Sequence, residues 1–346
     1  MTRPGVIGDR VTTPVPRAGA GIEAELARAT GLLDVERTAP RWMTHRRSAS
    51  EVFVCDSVAL GPDRFAVSTQ MPRAHALWSD RSASFHDPLM AVEAGRQATI
   101  MLAHAHAGLG RELMMVARSC EMRVRDREAF RNDGTTPLEG VFLMSLVDRQ
   151  VHNGVPTGLS FEGDLFVGTT RAMSMTGTII FTPRTDYELL RAHSRARKGV
   201  ATAAESPEPA PIDPALVGRE RRGNVAIGAS REGAPATRPV VVDVHSPVFF
   251  DHPLDHVPGQ LLMESCRQNA IVTAVRERRL PGPDCLVTAF RASFDDFAEL
   301  DAGCDCRANL LGAPGDETVR AQLGVWQLDA KVGDVEVELA APPHSG

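Results

Sequence analysis

The chain has 346 residues, 43% of them apolar, and a net charge of −6. That length supports two ordinary domains with their own cores, and the acidic balance argues against a nucleic-acid partner, which needs a basic face. No apolar run reaches the roughly 18–20 residues of a membrane span, and the start MTRPGVIGDRVTTPVPRAGAG lacks the apolar core of a secretory signal, so a cytoplasmic protein is expected.

In chain order, residues 1–38 are rich in Gly, Ala, Pro and Thr and read as a flexible arm with one short helical stretch near IEAELARATGLL. A first body, residues 39–194, opens with the strand-like runs SEVFVCDSVAL and RFAVSTQM. A loop ending in His86-Asp87-Pro88 leads into the apolar helix LMAVEAGRQATIMLAHAHAG, and four more strand runs follow, from LMMVARSCEMRV to AMSMTGTIIF. Residues 195–222 carry the Ala, Pro, Ser and charge content of a solvated linker. The second body, residues 223–346, repeats the order: GNVAIGAS and RPVVVDVH as strands, the loop through His256-Val257-Pro258, the helix QLLMESCRQNAIVTAVRER, then CLVTAFRASF, DCRANLLG, TVRAQLGVWQLD and DVEVELA.

The two bodies read as a duplication. His75 and His86 lie eleven apart, as do His245 and His256; each second histidine opens an H-x-P, and each is followed by E-x-x-R-Q, at Glu93, Arg96 and Gln97 and at Glu264, Arg267 and Gln268. The offset is 170 at the histidines and 171 at the glutamates, a difference assigned to Gly259. One buried helix among antiparallel strands is an α+β layout with the sheet wrapped around the helix. That is a hotdog pattern, present twice.

Glu264, Arg267 and Gln268 share one helix face. Cys266 points away and is read as a packed thiol. Near a helix start the dipole favours the Glu264 carboxylate, while desolvation raises its basicity. Glu264 therefore reads as a general base or an acceptor for a substrate hydroxyl, with a structural Glu264–Arg267 pair as the alternative. His252 and His256 lie four apart, but Pro253 and Pro258 oppose a helix there. A loop histidine facing substrate is the functional reading, and no metal site is expected. Arg96 and Arg267 are candidate phosphate contacts because they accompany the carboxylates. No dinucleotide fingerprint, phosphate loop or nucleophile elbow is present, so no cofactor is expected. Six cysteines are too sparse for a disulfide scaffold, and Cys304 and Cys306 lack zinc-site spacing.

HDPLMAVEAGRQA, GTIIFTPRTDYELLR and the long, uncommon HSPVFFDHPLDHVPGQLLMESCRQNA carry a resemblance that runs from about Pro40 to about Glu338. The chain resembles the A-factor biosynthesis hotdog proteins, the γ-butyrolactone signal synthases of actinobacteria. The resemblance implies a tandem double hotdog packed as a pseudo-dimer, alone or as a homodimer. It implies transfer of a β-ketoacyl chain from an acyl carrier protein thioester to the hydroxyl of dihydroxyacetone phosphate. The second loop is also similar to the H-F-P-G segment of β-hydroxyacyl carrier-protein dehydratases, where a loop histidine acts with a helix carboxylate. That similarity implies catalytic roles for Glu264 and for His256 or His252; substrate contacts are expected at Arg267, Gln268, Gly259, Glu93, Arg96 and His86. Two rivals stay open: a dehydratase or thioesterase acting on the same thioesters, and a non-catalytic acyl- or lactone-binding protein.

Overall fold

The computed structural model describes residues 20–80, 84–153, 155–202 and 208–342. Residues 1–19 of the expected arm and 203–207 of the expected linker lie outside the described residues. The described part of the arm opens with a helix, α1 (Ala20–Thr30), and continues to residue 38 as turns and irregular chain. Leu26 and Ala29 bury its inner face against Ala66, Leu143 and Phe166, and Arg64 clasps Glu25 at 2.8 Å. The arm is therefore docked over this stretch, because successive turns of α1 present Ile22, Leu26 and Ala29 to the sheet.

The first body contains β1 (Val54–Gly61), β2 (Arg64–Met71), α2 (Pro88–Ala105), β3 (Met114–Val124), β4 (Leu138–His152), β5 (Val155–Val167) and β6 (Thr170–Thr182). Asp87 caps α2 by accepting the Leu89 N–H at 3.0 Å, and Pro88 follows at the first helical position, a strong start signal. From Pro88 to His104 only Arg96 escapes burial. A helix this apolar on all sides must be enclosed, and the sheet encloses it.

A helix, α3 (Arg184–Lys198), joins the bodies. The second body contains β7 (Thr237–Pro239), α4 (Gly259–Arg276), β8 (Leu286–Phe294), β9 (Cys304–Leu311), β10 (Thr318–Gln327) and β11 (Ala330–Ala340). Two of its expected strands are corrected. GNVAIGAS forms only isolated bridges, and RPVVVDVH yields only the short β7. Pro239 has no N–H to donate, and the Ala226 N–H is taken by the Gln268 side chain at 2.8 Å instead of by a strand.

All strands pair antiparallel in one sheet of order β1-β2-β4-β5-β6-β3-β8-β11-β10-β9-β7. The bodies join through β3 and β8, the strand that follows the central helix in each. Ser119 faces Ser293, Glu121 faces Arg291 and Arg123 faces Ala289. This register is symmetric about Glu121 and Arg291, which form a 2.9 Å ion pair. A pseudo-twofold axis passes there, as an isologous contact between repeats requires. The result is a double hotdog.

The expected solvated linker is also corrected. Its first residues belong to α3, and Pro214–Val217 form a 3₁₀ turn closed by Gly218, after which Arg219 is buried. No helix among the described residues is long and apolar enough to cross a membrane.

Candidate functional site

The E-x-x-R-Q motif falls on the second turn of α2 and again of α4. Around it the chain is bonded alike in both bodies. In the first body Gln97 accepts the Phe53 N–H at 2.8 Å and donates to Glu51 O and to Glu93 Oε1, both at 2.8 Å. In the second, Gln268 accepts the Ala226 N–H and donates to Asn224 O, both at 2.8 Å, and donates to Glu264 Oε1 at 2.5 Å. With acceptor and donors engaged, Gln268 pins its helix to the preceding segment. Gln268, where a substrate contact is expected, is thus placed beside Glu264 with its amide held by these three bonds.

The loop alignment is corrected as well. His86 N–H donates to Phe130 O, and it is Val257 N–H that donates to Ala298 O. Phe85 bridges Arg131 where His256 bridges Glu299. α2 begins at Pro88 and α4 at Gly259, the same offset of 171 as the glutamates. His86 is thus the counterpart of Val257, and Gly259 is no insertion. The His86 ring lines a cavity of about 420 Å³ with Arg131, Asp133 and Leu138, and neither motif glutamate reaches it.

The two carboxylates differ in what surrounds them. Glu93 Oε1 accepts from Arg46 Nη2 at 2.6 Å and Arg96 Nη2 at 2.8 Å, and Oε2 accepts from Arg96 Nε at 2.8 Å. Burial alone would raise its pKa, but Arg46 and Arg96 overcome that and hold it far below the usual carboxylate range. Glu264 receives all its donors on one oxygen: Arg219 Nη2 at 2.9 Å, Arg267 Nη2 at 2.8 Å and Gln268 all reach Oε1. Arg267 cannot close over the second oxygen as Arg96 does, because Asp87 of the first body draws Nη1 away at 2.5 Å. Glu264 Oε2 and Arg267 Nε are left buried without partners. Burial, with Asp87 adding to it and Arg219 and Gln268 opposing it, pushes Glu264 up to about 7.

Sequence reasoning missed Arg46, Arg219 and Asp87. The arginines lie 47 and 45 residues ahead of their glutamates, so no local spacing exposes them. Asp87 caps α2 in the other body, and no local pattern ties it to Glu264. α4 lacks a side-chain cap, since Pro258 stands where Asp87 stands in α2. A Cβ at Gly259 would meet nothing nearer than the Phe294 ring at 3.6 Å, so space alone does not demand glycine there.

The structure does not gather both histidines around Glu264. His252 Nδ1 bonds Asp251 at 2.5 Å, and Asp251 also takes the Arg47 N–H at 2.8 Å and pairs with Arg46 at 3.5 Å. His252 therefore stands at the Glu93 copy, across the interface. His256 Nδ1 bonds Asp255 at 2.6 Å, beside Tyr187 of α3 and edge-on to Phe297. Among the described residues neither histidine bonds Glu264, and no cluster of three or more His, Cys, Asp or Glu is arranged to hold a metal. Cys266 is fully buried, with its sulfur 3.5 Å from that of Cys306.

A model of the A-factor biosynthesis hotdog domain matches residues 28–183 and 200–340 of the chain. The 2-oxo-3-(phosphooxy)propyl 3-oxoalkanoate synthase of Streptomyces virginiae is 32% identical over 285 residues, 82% of this chain and 92% of the relative. The protein of the same name from Streptomyces griseus subsp. griseus is 30% identical over 315 residues, 90% of each chain. Among solved structures, the 12:0-ACP thioesterase from Umbellularia californica superposes with a TM-score of 0.50 at 11% identity, covering 81% of this chain and 94% of that one. That likeness is one of fold.

Proposed function

Because the chain belongs to the A-factor biosynthesis hotdog family, we propose that it transfers a β-ketoacyl chain from an acyl carrier protein thioester to the hydroxyl of dihydroxyacetone phosphate. The relatives' name describes the product of that reaction, a 3-oxoalkanoate ester of a phosphooxy-oxopropyl group. The observation that carries the assignment to a residue is the partnerless Oε2 of Glu264, a buried acceptor pushed up to about 7.

The chemistry needs no covalent enzyme intermediate. Glu264 Oε2 accepts the proton as the acceptor's oxygen attacks the thioester carbonyl. A carbon–oxygen bond forms, and the tetrahedral intermediate collapses with loss of the carbon–sulfur bond. The thiolate leaves with a proton, which returns the site to its starting charge. The uncapped amides of Gly259 and Gln260 at the start of α4 face the developing oxyanion. Arg267 Nε, a donor without a partner, orients the hydroxyl. His256, steadied by Asp255, is assigned the departing thiol; His252 belongs to the other copy. Holding two reactants in line is itself a large part of such a rate gain.

The test is Glu264→Gln, assayed by mass spectrometry of the ester from a β-ketoacyl carrier and dihydroxyacetone phosphate. A fall in rate of roughly 10²–10⁴-fold is expected, the contribution of one acid–base group. Unchanged ester formation by a folded variant would falsify the role of Glu264. Free acid released without acceptor, and no ester with it, would replace the transferase by a thioesterase.

A further inference from the structure

α3 leaves the first body after β6 and lies against the second. Ser194 donates to Asp296 there, and Lys198 Nζ stands 3.6 Å from the same carboxylate. Arg191 pairs with Glu299 at 2.5 Å and lies over the Phe297 ring, 4.7 Å from its centroid. Lys198 also reaches Gln327 at 3.4 Å. Backbone bonding locates the same places in the first body. Asp126 N–H donates to Ala172 O as Asp296 N–H donates to Val332 O, so Asp126 matches Asp296. Phe130 O and Ala298 O receive the equivalent N–H groups of His86 and Val257, so Ala129 matches Phe297 and Arg131 matches Glu299. Val167 and Gln327 close equivalent hairpins, opposite Thr170 and Ala330. These counterparts, Asp126, Ala129, Arg131 and Val167, all line the cavity of about 420 Å³ beside His86. That cavity is the first body's copy of the α3 seat, and among the described residues no helix fills it.

Two features of the cavity point to an occupant. The first is His86, which is 5% exposed and stands where the filled copy has Val257. Its ring lines the cavity without a hydrogen-bond partner among the described residues. A buried polar group left unpaired is costly. Burial, opposed by Asp133 and aided by Arg73, lowers the pKa of His86, so the ring is neutral at pH 7. With no bond to fix its tautomer, it can turn a lone pair toward an incoming N–H. The second feature is an acidic rim. Asp126 accepts the Glu128 N–H at 2.9 Å, Glu139 accepts from the Gln70 amide at 2.9 Å, and Asp133 accepts from the Thr136 hydroxyl at 2.6 Å. All three carboxylates bond only neutral donors, so their charge is uncompensated. Arg131 does not offset them, because Glu128 holds it through bonds of 2.6 and 3.0 Å. Ala129 leaves open the space that the Phe297 ring fills in the sister seat.

We propose that this cavity is a docking seat for a basic helical segment of a partner protein, which presents lysine or arginine to it as α3 presents Arg191 and Lys198 to the second body. An ammonium or guanidinium N–H donates to the free lone pair of His86, and the rim carboxylates balance its charge. The aliphatic stem of the same side chain packs on Leu138 and Val167, which line the cavity. The seat stands apart from both motif glutamates, so it does not depend on the acyl-transfer reading.

A fluorescently labelled synthetic peptide of residues 184–198, the sequence of α3, serves as the probe. In the full chain the seat on the second body is already taken by the covalent α3, so added peptide meets only the open one. Fluorescence anisotropy should show saturable binding. His86→Val, which installs the sister copy's residue, and Asp126→Lys should each weaken it about tenfold, the scale of one charge-assisted hydrogen bond. A peptide carrying Arg191→Glu and Lys198→Glu should not bind. Asp126 is exposed, so its variant carries the test should His86→Val fail to fold. Absence of saturable binding, or binding that both chain variants leave unchanged, overturns the proposal. Equal binding of the charge-reversed peptide overturns it as well. Cadaverine, a free diamine, binding as tightly as the peptide would also overturn docking, since a small cation would then suffice.

Discussion

Glu264 keeps its proton to higher pH than a free carboxylate because it is buried and neither Arg219 nor Arg267 reaches Oε2. Between its ordinary value of 4.5 and about 7 the folded chain holds a proton that the unfolded chain releases. The group's effect on stability therefore worsens as pH rises through that window, by about 3 kcal/mol in all. Denaturant titrations of the parent and Glu264→Gln at pH 5 and pH 8 should show the parent losing that much relative to the variant. Transfer should follow the opposite trend, rising with pH to a plateau above about 7, since the base must be ionised. Glu93 has the reverse sign. Its depressed pKa gives stability that is present above the unfolded value and lost as acid protonates it, so Glu93→Gln should destabilise at pH 7 and matter little in strong acid. The recurrence of E-x-x-R-Q made both carboxylates legible. The sequence did not reveal that one is sealed and the other half-open, because Arg46, Arg219 and Asp87 converge from distant segments.

Among the elements, α3 was the least legible. Its buried residues are Tyr187, Arg191, Ser194 and Lys198, at helical spacing but polar, so hydrophobic periodicity passes over it. These side chains dock on the second body. Tyr187 donates to Asp255 at 2.9 Å, Arg191 pairs with Glu299 at 2.5 Å, and Arg195 reaches the same carboxylate at 2.8 Å. Glu299 is fully buried, and removing a partner from a buried charge is costly. Arg191→Ala should destabilise by about 3 kcal/mol, the lower end for a broken buried pair, because Arg195 remains. Since Tyr187 and Asp255 also steady His256, the same variant should lower transfer at constant KM if His256 serves the leaving thiol. The central helices were legible in full, from the H-x-P loop and the apolar run. The H-x-P repeat itself misled by one residue, as matching letters aligned His86 with His256 where backbone bonding aligns it with Val257.

At the scale of the molecule, each body alone would expose the β3 or β8 edge and the apolar face of its helix. Exposed edges pair with whatever strand they meet. Residues 20–202 and 208–342 produced as separate chains should each aggregate, and together should recover a one-to-one complex by size exclusion. Soluble, folded, monomeric halves would contradict a shared core. The double hotdog was readable from strand order and the repeated helix, whereas the continuity of the sheet was not, because no residue pattern announces which edges meet.

At the seam Glu121 faces Arg291 where the pseudo-twofold axis passes. In an assembly of two identical chains a residue on the axis meets its own copy, so an acid there would face an acid. Opposite charges on the axis require the halves to be independently mutable. Joined in one polypeptide, each half accumulates substitutions that the other never receives. One glutamate could then be locked as a brace while its twin kept a free oxygen. The ancestral symmetry thus became raw material for two unlike sites in a single fold.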